Sequence, residues 1–92
     1  MAAGNWTFLS NHGHVLIALS KDPTLRIRDL VEMIGITERS VRAIISDLES
    51  DGYVEIIKTG RRNEYRINEQ TKFRHPAEAG KPISSLLKIF SS

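Results

Sequence analysis

Residues 30–54 read LVEMIGITERSVRAIISDLESDGYV and give the clearest structural signal in this chain of 92 residues. Two apolar stripes, each with the i, i+3, i+4, i+7 spacing of a buried helix face, lie on either side of Gly35. The first stripe begins just upstream, and the two comprise Ile27, Leu30, Val31 and Ile34, then Val41, Ile44, Ile45 and Leu48. This spacing predicts two helices joined by a tight turn, which is a helix-turn-helix.

The second of these helices has a start signal and a stop signal in the sequence. The Thr37 hydroxyl can cap the helix N-terminus, and Glu38 follows at the positive end of the helix dipole. Gly52 can end the helix, because glycine adopts the left-handed conformation without strain. These residues predict a helix over residues 37–51.

Upstream, an apolar run at residues 15–19 follows two possible capping residues, Ser10 and Asn11, and stops before Pro23. The run predicts a first helix that ends there, because proline disfavours a helical residue before it. The segment before this helix predicts either an extended arm or a helical turn that packs its aromatic rings onto the core, and it contains Trp6, Phe8 and Leu9.

Other segments favour β structure. Residues 25–27 form a short β-favouring segment, and residues 53–58 are rich in β-formers before a glycine-containing turn at residues 59–63. Residues 64–67 alternate polar and apolar side chains. The sequence therefore predicts a β-hairpin whose core-facing side chains are Tyr65 and Ile67 on one strand, and Val54 and Ile56 on the other.

This order of elements predicts an α+β fold, mainly α: a winged helix-turn-helix with a three-helix core and a two-stranded hairpin as its wing. Residues 68–82 are polar and contain two prolines, which predicts a surface connection. Beyond them a stripe with helical spacing predicts a short amphipathic C-terminal helix, formed by Ile83, Leu86, Leu87 and Phe90. We assign residues 1–70 to the winged domain and residues 71–92 to a C-terminal extension.

The composition, with 40% hydrophobic and 26% charged residues, is typical of a globular chain that folds alone. The apolar run at residues 15–19 is far shorter than the roughly 20 residues that span a bilayer, and the N-terminus lacks the pattern of a signal peptide. The chain has no cysteine, which excludes disulfides, thiolate zinc sites and cysteine nucleophiles. We expect a cytoplasmic protein with no membrane span.

Charge is divided unevenly along the chain. Residues 1–57 hold five Lys or Arg against eight acidic residues, whereas residues 58–92 hold eight basic residues against three acidic ones. A polarised chain of this kind points to an anionic partner.

The helix at residues 37–51 has an outer face that suits the major groove of DNA. With its stripe turned inward, the opposite face holds Glu38, Arg39, Ser40, Arg42, Ala43 and Ser46. Arginine can donate two hydrogen bonds to a guanine edge, serine can bond bases or phosphate, and Glu38 can accept from a cytosine amine or cap the helix. An ordinary solvated face is the alternative, and the accompanying turn and wing favour DNA.

The tip of the predicted hairpin is basic. The basic side chains of the tip, and Arg66 further along the strand, can pair with phosphates or enter a narrow minor groove. Gly60 allows the hairpin to come close to the DNA backbone or groove wall. The DNA-contacting candidates in this wing, at residues 58–66, are Lys58, Arg61, Arg62 and Asn63.

Neither a metal centre nor a catalytic site is expected. His12 and His14 form a His-x-His pair, but no carboxylate lies at ligand spacing beside it, so we expect no metal and no cofactor. No combination of nucleophile, base and orienting residue can be proposed, and no phosphate loop or nucleotide motif occurs. The sequence therefore does not predict an enzyme.

The stripe of the C-terminal helix can be either a lid on the chain's own core or a subunit interface. We favour a homodimer, because small winged domains commonly read symmetric half-sites as a pair. The dimerisation candidates are then Ile83, Leu86, Leu87 and Phe90.

Residues 30–54, with GRRNEY at residues 60–65, resemble the winged helix-turn-helix transcriptional regulators of bacteria and archaea, in the style of the MarR and ArsR groups. NHGHVLI at residues 11–17 and FRHP at residues 73–76 resemble a subset of small single-domain members. The chain lacks the long flanking helices of full-length MarR proteins and the cysteines of ArsR metal sensors. The resemblance therefore implies DNA binding but no particular effector. The resemblance implies DNA contacts from Thr37, Arg39, Ser40 and Arg42, and from Arg61 and Arg62.

The leading hypothesis is a sequence-specific regulator that binds double-stranded DNA as a homodimer. One alternative is a protein-interaction or assembly module built on a winged-helix scaffold, and another is an RNA-binding winged domain. The basic outer face and wing favour the first hypothesis, because a scaffold has no reason to keep them.

Overall fold

A computed structural model describes residues 6–91 of the chain. Four α-helices and one two-stranded antiparallel sheet follow one another in the described part. They are α1 (Asn11–Lys21), α2 (Ile27–Ile34), α3 (Glu38–Ser50), β1 (Val54–Thr59), β2 (Arg62–Ile67) and α4 (Ile83–Phe90), with one turn of 3-10 helix at Pro76–Glu78. The mainly helical fold with a hairpin and a C-terminal helix confirms the predicted winged helix-turn-helix architecture.

Two of the predicted capping residues begin helices, and the glycine between the two stripes ends one. Ser10 caps α1, where its hydroxyl accepts a hydrogen bond from the Gly13 amide at 3.4 Å. Thr37 caps α3 by accepting from the Ser40 amide at 3.1 Å. Gly35 ends α2 with φ of +79°, a left-handed conformation that allows the sharp turn into α3.

The core lies where α3 packs against α1, α2 and β1. All four residues of the α3 stripe are buried, and the predicted core residues of the hairpin join them, with Ile56 and Ile67 half-buried. Two residues of α4 belong to the same core. The buried set comprises Val15, Leu16, Ala18, Leu19, Leu30, Val41, Ile44, Ile45, Leu48, Tyr53, Val54, Tyr65, Ile83 and Leu87.

The prediction of a short strand at residues 25–27 is wrong. Ile27 begins α2 and Arg26 is its N-cap, because the Asp29 carboxylate accepts a hydrogen bond from the Arg26 amide at 2.9 Å and closes the first turn. Only one backbone hydrogen bond ties this loop to the hairpin, from the Tyr65 amide to the Pro23 carbonyl at 2.9 Å. Capping by Asp29 therefore outweighs the β propensity of three residues.

The prediction that the N-terminal aromatic rings pack onto the core is also wrong. Trp6 is 70% exposed and Phe8 is 93% exposed. The two rings instead contact each other edge to face, with centroids 5.1 Å apart.

The hairpin is tighter than predicted. Thr59 pairs with Arg62, so the loop contains only Gly60 and Arg61, and the strand begins at Arg62 rather than after Asn63. Gly60 has φ of +64°, as a two-residue hairpin loop requires.

A short junction at Gly52 fastens the hairpin to the end of α3. Gly52 is left-handed, with φ of +82°, and its carbonyl accepts hydrogen bonds from the Asn68 side-chain amide at 2.7 Å and the Thr71 hydroxyl at 3.2 Å. The Tyr53 amide donates to the Leu48 carbonyl at 2.8 Å, and the Tyr53 hydroxyl donates to the Lys72 carbonyl at 2.7 Å. Burial raises the pKa of the Tyr53 phenol. Both ends of the junction are thus held by hydrogen bonds.

Residues 68–82 form the predicted surface connection, with more local order than expected. It contains the 3-10 turn and an isolated antiparallel bridge between Lys72 and Pro82. The Ile83 amide donates to the Thr71 carbonyl at 2.8 Å, which fixes the start of α4 beside the junction. Within the described part, no helix has the length and apolar character needed to cross a membrane.

Candidate nucleic-acid interface

The outer face of α3 is exposed over its whole length. Because the stripe of α3 is buried, helical geometry turns the remaining side chains to solvent. The structure exposes every residue that the sequence placed there: Thr37, Glu38, Arg39, Ser40, Arg42, Ala43 and Ser46.

Thr37 has a structural role at the start of this face. Its hydroxyl accepts from the Ser40 amide at 3.1 Å and donates to the Ser40 hydroxyl oxygen at 2.9 Å. Because Thr37 donates in this contact, the Ser40 hydroxyl keeps its own proton to donate to an anionic or carbonyl oxygen. The cap fixes the backbone amides of the first turn, next to the positive end of the helix dipole.

The two arginines of α3 differ in their surroundings. Arg42 Nε and Nη2 both lie 2.9 Å from Glu38 Oε2, and both side chains are 63% exposed. Exposed i, i+4 ion pairs contribute only about 0.3–0.5 kcal/mol, so a DNA base or phosphate can replace Glu38 as the partner of Arg42. Arg39, one turn earlier, forms no ion pair or side-chain hydrogen bond with any residue between 6 and 91.

The wing presents its charges on two faces and at its tip. Strand alternation places Lys58 and Asn63, which pair across the sheet, on the face that carries Tyr65. Arg62 and Arg66 lie on the opposite face, where Arg66 Nη1 is 3.4 Å from Glu55 Oε1. The four wing candidates, Lys58, Arg61, Arg62 and Asn63, are all exposed.

Arg62 is influenced by an acidic residue of the loop between α1 and α2. The Thr24 hydroxyl and amide donate to Asp22 Oδ1 at 2.7 and 3.0 Å, and these bonds hold the pKa of Asp22 below its ordinary value. The positive charge of Arg62 lowers the pKa of Asp22 in the same direction. Arg62 thus has one acidic side chain in its neighbourhood, whereas Arg61 forms no ion pair with any residue between 6 and 91.

Each of the three histidines contacts a side chain or a backbone amide of the same chain. His12 Nε2 lies 2.9 Å from Asp47 Oδ2, which links α1 to α3, and His14 Nδ1 lies 3.1 Å from Asn11 Oδ1. His75 Nδ1 accepts from the Ala77 amide at 3.0 Å and caps the 3-10 turn. No group of three metal-ligating side chains is found between residues 6 and 91.

A long-range ion pair at the end of α3 is invisible in the sequence pattern. Arg74 Nη1 lies 2.7 Å from Asp51 Oδ2, across a separation of 23 residues. The bond uses the charge of Arg74 within the molecule, so the positive excess of residues 58–92 is not all available to a partner.

Comparison with protein families places this geometry in a known group. Residues 10–55, half of the chain, match the model of the family described as winged helix-turn-helix DNA-binding. The match runs from the cap of α1 to the first residues of β1, and so includes α3 entirely. No curated protein matches the chain.

Proposed function

The chain belongs to the winged helix-turn-helix DNA-binding family, and we propose that it is a sequence-specific transcriptional regulator that reads double-stranded DNA with α3 and the wing. A DNA major groove admits one α-helix, and specific contacts come from side chains in the first half of that helix. In this proposal Arg39, Ser40 and Arg42 contact the bases. Thr37 caps the first turn of α3, where the helix N-terminus can contact a phosphate.

The observation that carries the proposal is the division of α3 into a buried stripe and an exposed face with two arginines. The stripe holds the helix against the rest of the domain, so the arginines are presented on a rigid surface. The contact of Arg42 with Glu38 is weak enough for DNA to replace it, and Arg39 has no competing partner in the described part. The remaining candidates on this face, Ala43 and Ser46, are small enough to let the helix approach base edges.

The wing supplies contacts to the DNA backbone or minor groove in this proposal. Arg61 lies at the tip of a two-residue loop, and Lys58, Arg62 and Asn63 are exposed beside it. Such contacts position a protein on the duplex and make its affinity depend on salt.

We also propose that the protein acts in the cytoplasm as a homodimer, in the style of the MarR and ArsR regulators that residues 30–54 resemble. Two copies would present their α3 helices to half-sites about 34 Å apart, one turn of duplex. Residues 1–70 would bind DNA, and residues 71–92 would contribute to the contact between copies.

Selection of bound duplexes from a random pool, at stated salt concentrations, tests the function directly. We expect the selection to yield a preferred sequence. For binding to that duplex, an Arg61→Ala, Arg62→Ala double variant should reduce the slope of log affinity against log salt concentration by about 1 for each lost phosphate contact. A Lys72→Ala, Lys81→Ala double variant removes the same charge from the C-terminal segment and should leave the slope unchanged. Enrichment of no duplex, or an RNA preference, would contradict the proposal.

A further inference from the structure

The largest exposed apolar side chains come from the two chain ends and from the end of α2. None belongs to α3 or to the hairpin. Within residues 6–91 they are Trp6 at 70% exposure, Phe8 at 93%, Met33 at 60%, Ile89 at 72% and Phe90 at 39%. A single exposed apolar side chain is ordinary, whereas a group of them that lie together commonly marks a contact surface.

Between α1, α2 and α4 lies an open groove of about 470 Å³. Most of its lining is apolar, and Lys21 and His14 stand beside it. The apolar lining residues are Leu9, Ile17, Ala18, Met33, Ile34 and Phe90. We call this hollow the apolar groove.

Residues 6–9 form a protrusion beside the groove, which we call the arm. The Thr7 hydroxyl donates to the Leu9 carbonyl at 2.5 Å, and the rings of Trp6 and Phe8 meet edge to face. Leu9 lines the groove, but neither Trp6 nor Phe8 does. The arm therefore starts at the edge of the groove and does not fill it.

We infer that this surface binds a second copy of the chain, with the arm of each copy inserted into the apolar groove of the other. The inference rests on the proposed function and specifies its dimer contact. A two-fold interface must be complementary to itself, because the same patch is used on both subunits. A protrusion and a hollow that adjoin at Leu9 meet this requirement within one molecule.

Charge and area agree with a second copy as the occupant. The arm carries no charged side chain, so its entry into a groove beside Lys21 brings no like charges together. A standard interface buries about 800 Å² on each partner, and an aromatic side chain buries roughly 150–250 Å². With Trp6 70%, Phe8 93% and Phe90 39% exposed, these three rings would supply roughly 300–500 Å², about half of the area that each copy needs.

The contact differs from the one expected from the sequence. Ile83 and Leu87 are buried in the core of their own chain, and Leu86 is half-buried, so the stripe of α4 is largely used. Of the four predicted dimerisation residues, Phe90 faces the groove. The surfaces of α3 and the wing take no part, which leaves both copies free to bind DNA.

Trp6 reports on this contact without a label, because it is the single tryptophan of the chain. We expect the emission of the full chain to move to shorter wavelength as concentration rises, in step with a doubling of mass measured by analytical ultracentrifugation. A monomer at all concentrations would overturn the inference, and so would a dimer whose Trp6 emission stays at the position of the monomer.

Substitutions in the arm and in the groove test the reciprocal arrangement. Phe8→Ser removes the protruding ring and keeps the reporter, and Met33→Glu places a charge in the groove. Each should weaken the dimer at least tenfold, because each acts twice in a two-fold contact. Ile57→Ser, on the outer face of the hairpin, is the control and should leave dimerisation unchanged.

A mixture of the two variants separates reciprocal insertion from a general loss of apolar surface. The intact arm of Met33→Glu can enter the intact groove of Phe8→Ser, which restores one of the two contacts. We expect more dimer in the mixture than in either variant alone. An equal amount would overturn the arm-in-groove arrangement, provided that thermal unfolding shows both variants to be folded.

Binding to a random duplex distinguishes a failure of this inference from a failure of the proposed function. A monomeric wild type that binds random DNA normally would contradict the dimer contact alone. A dimeric wild type that binds no DNA would contradict the proposed function and leave the contact standing.

Discussion

The helices α3 and α4 have the same apolar spacing in the sequence but different surroundings in the structure. All four residues of the α3 stripe are buried. In α4, Ile83 and Leu87 are buried, Leu86 is half-buried and Phe90 is 39% exposed. Spacing thus identifies the apolar face of a helix, whereas the neighbouring elements determine how much of that face is covered.

The neighbours explain the difference. The α3 helix packs against α1, α2 and β1, while α4, among the described helices and strands, packs against α1 alone. The ends of the two helices differ too, since Thr37 caps α3 with its side chain and Pro82 precedes α4 without a side-chain hydrogen bond. The buried face of α3 is thus covered along its whole length, and α4 keeps an uncovered edge in its last turn.

The largest effect should come from the same substitution made in each helix. Ile44→Ala in α3 should lower the free energy of unfolding by about 2–5 kcal/mol, because it leaves a cavity in the core. Ile89→Ala in α4 should change it by no more than about 0.5 kcal/mol, because Ile89 is 72% exposed. Urea unfolding at low protein concentration measures both, and equal losses would remove the contrast between the helices.

The second effect concerns the exposed faces. Arg39→Ala should weaken binding to the preferred duplex by roughly 1–3 kcal/mol and relax base preference at one position, because Arg39 is free to donate to a base edge. Lys88→Ala removes one positive charge from α4 and should alter specific binding little. Titrations with preferred and random duplexes check this, and an equal loss on both duplexes would reassign Arg39 to a phosphate.

The third effect tests the helix starts. Thr37→Ala should lower the free energy of unfolding by about 1 kcal/mol, because the Ser40 amide loses its acceptor. Thr37→Ser keeps the hydroxyl and should recover most of the stability, as followed by thermal unfolding. If the alanine variant is as stable as wild type, the cap does not distinguish α3 from α4.

The smallest effect involves the ion pair that α3 has and α4 lacks. Glu38→Gln should cost about 0.5 kcal/mol or less in stability, since both side chains of the pair are largely exposed. A double-mutant cycle with Arg42→Ala isolates the pairwise contribution. A coupling well above 1 kcal/mol would mean that Glu38 holds Arg42 too firmly for DNA to replace it.

Local patterns predicted most of the fold. The stripes of α2 and α3, the caps Ser10 and Thr37 and the alternation around Tyr65 each depend on residues a few positions apart, and each is present in the structure. Every side chain that the same reasoning placed on the outer face of α3 is exposed, because burial of one helix face turns the opposite face to solvent.

Predictions failed where two local preferences competed or where distant residues decided. At residues 25–27, the capping carboxylate of Asp29 prevailed over β propensity. The rings of Trp6 and Phe8 contact each other rather than the core, and no spacing in the sequence reveals this contact. The contacts of Asp47 with His12 and of Asp51 with Arg74 join residues far apart in the chain, so only the assembled fold displays them.

The hydrogen-bonded junction at Gly52 has a consequence for the DNA itself. With the Gly52 carbonyl held by Asn68 and Thr71, and the Tyr53 amide held by Leu48, changing the angle between α3 and the hairpin means breaking several bonds at once. If both elements contact one duplex, any misfit between their fixed arrangement and a straight duplex is met by bending or twisting of the DNA. Stiff and pliable base steps differ in the energy of that deformation, so the mechanical properties of DNA can be discriminated at base pairs that no side chain touches.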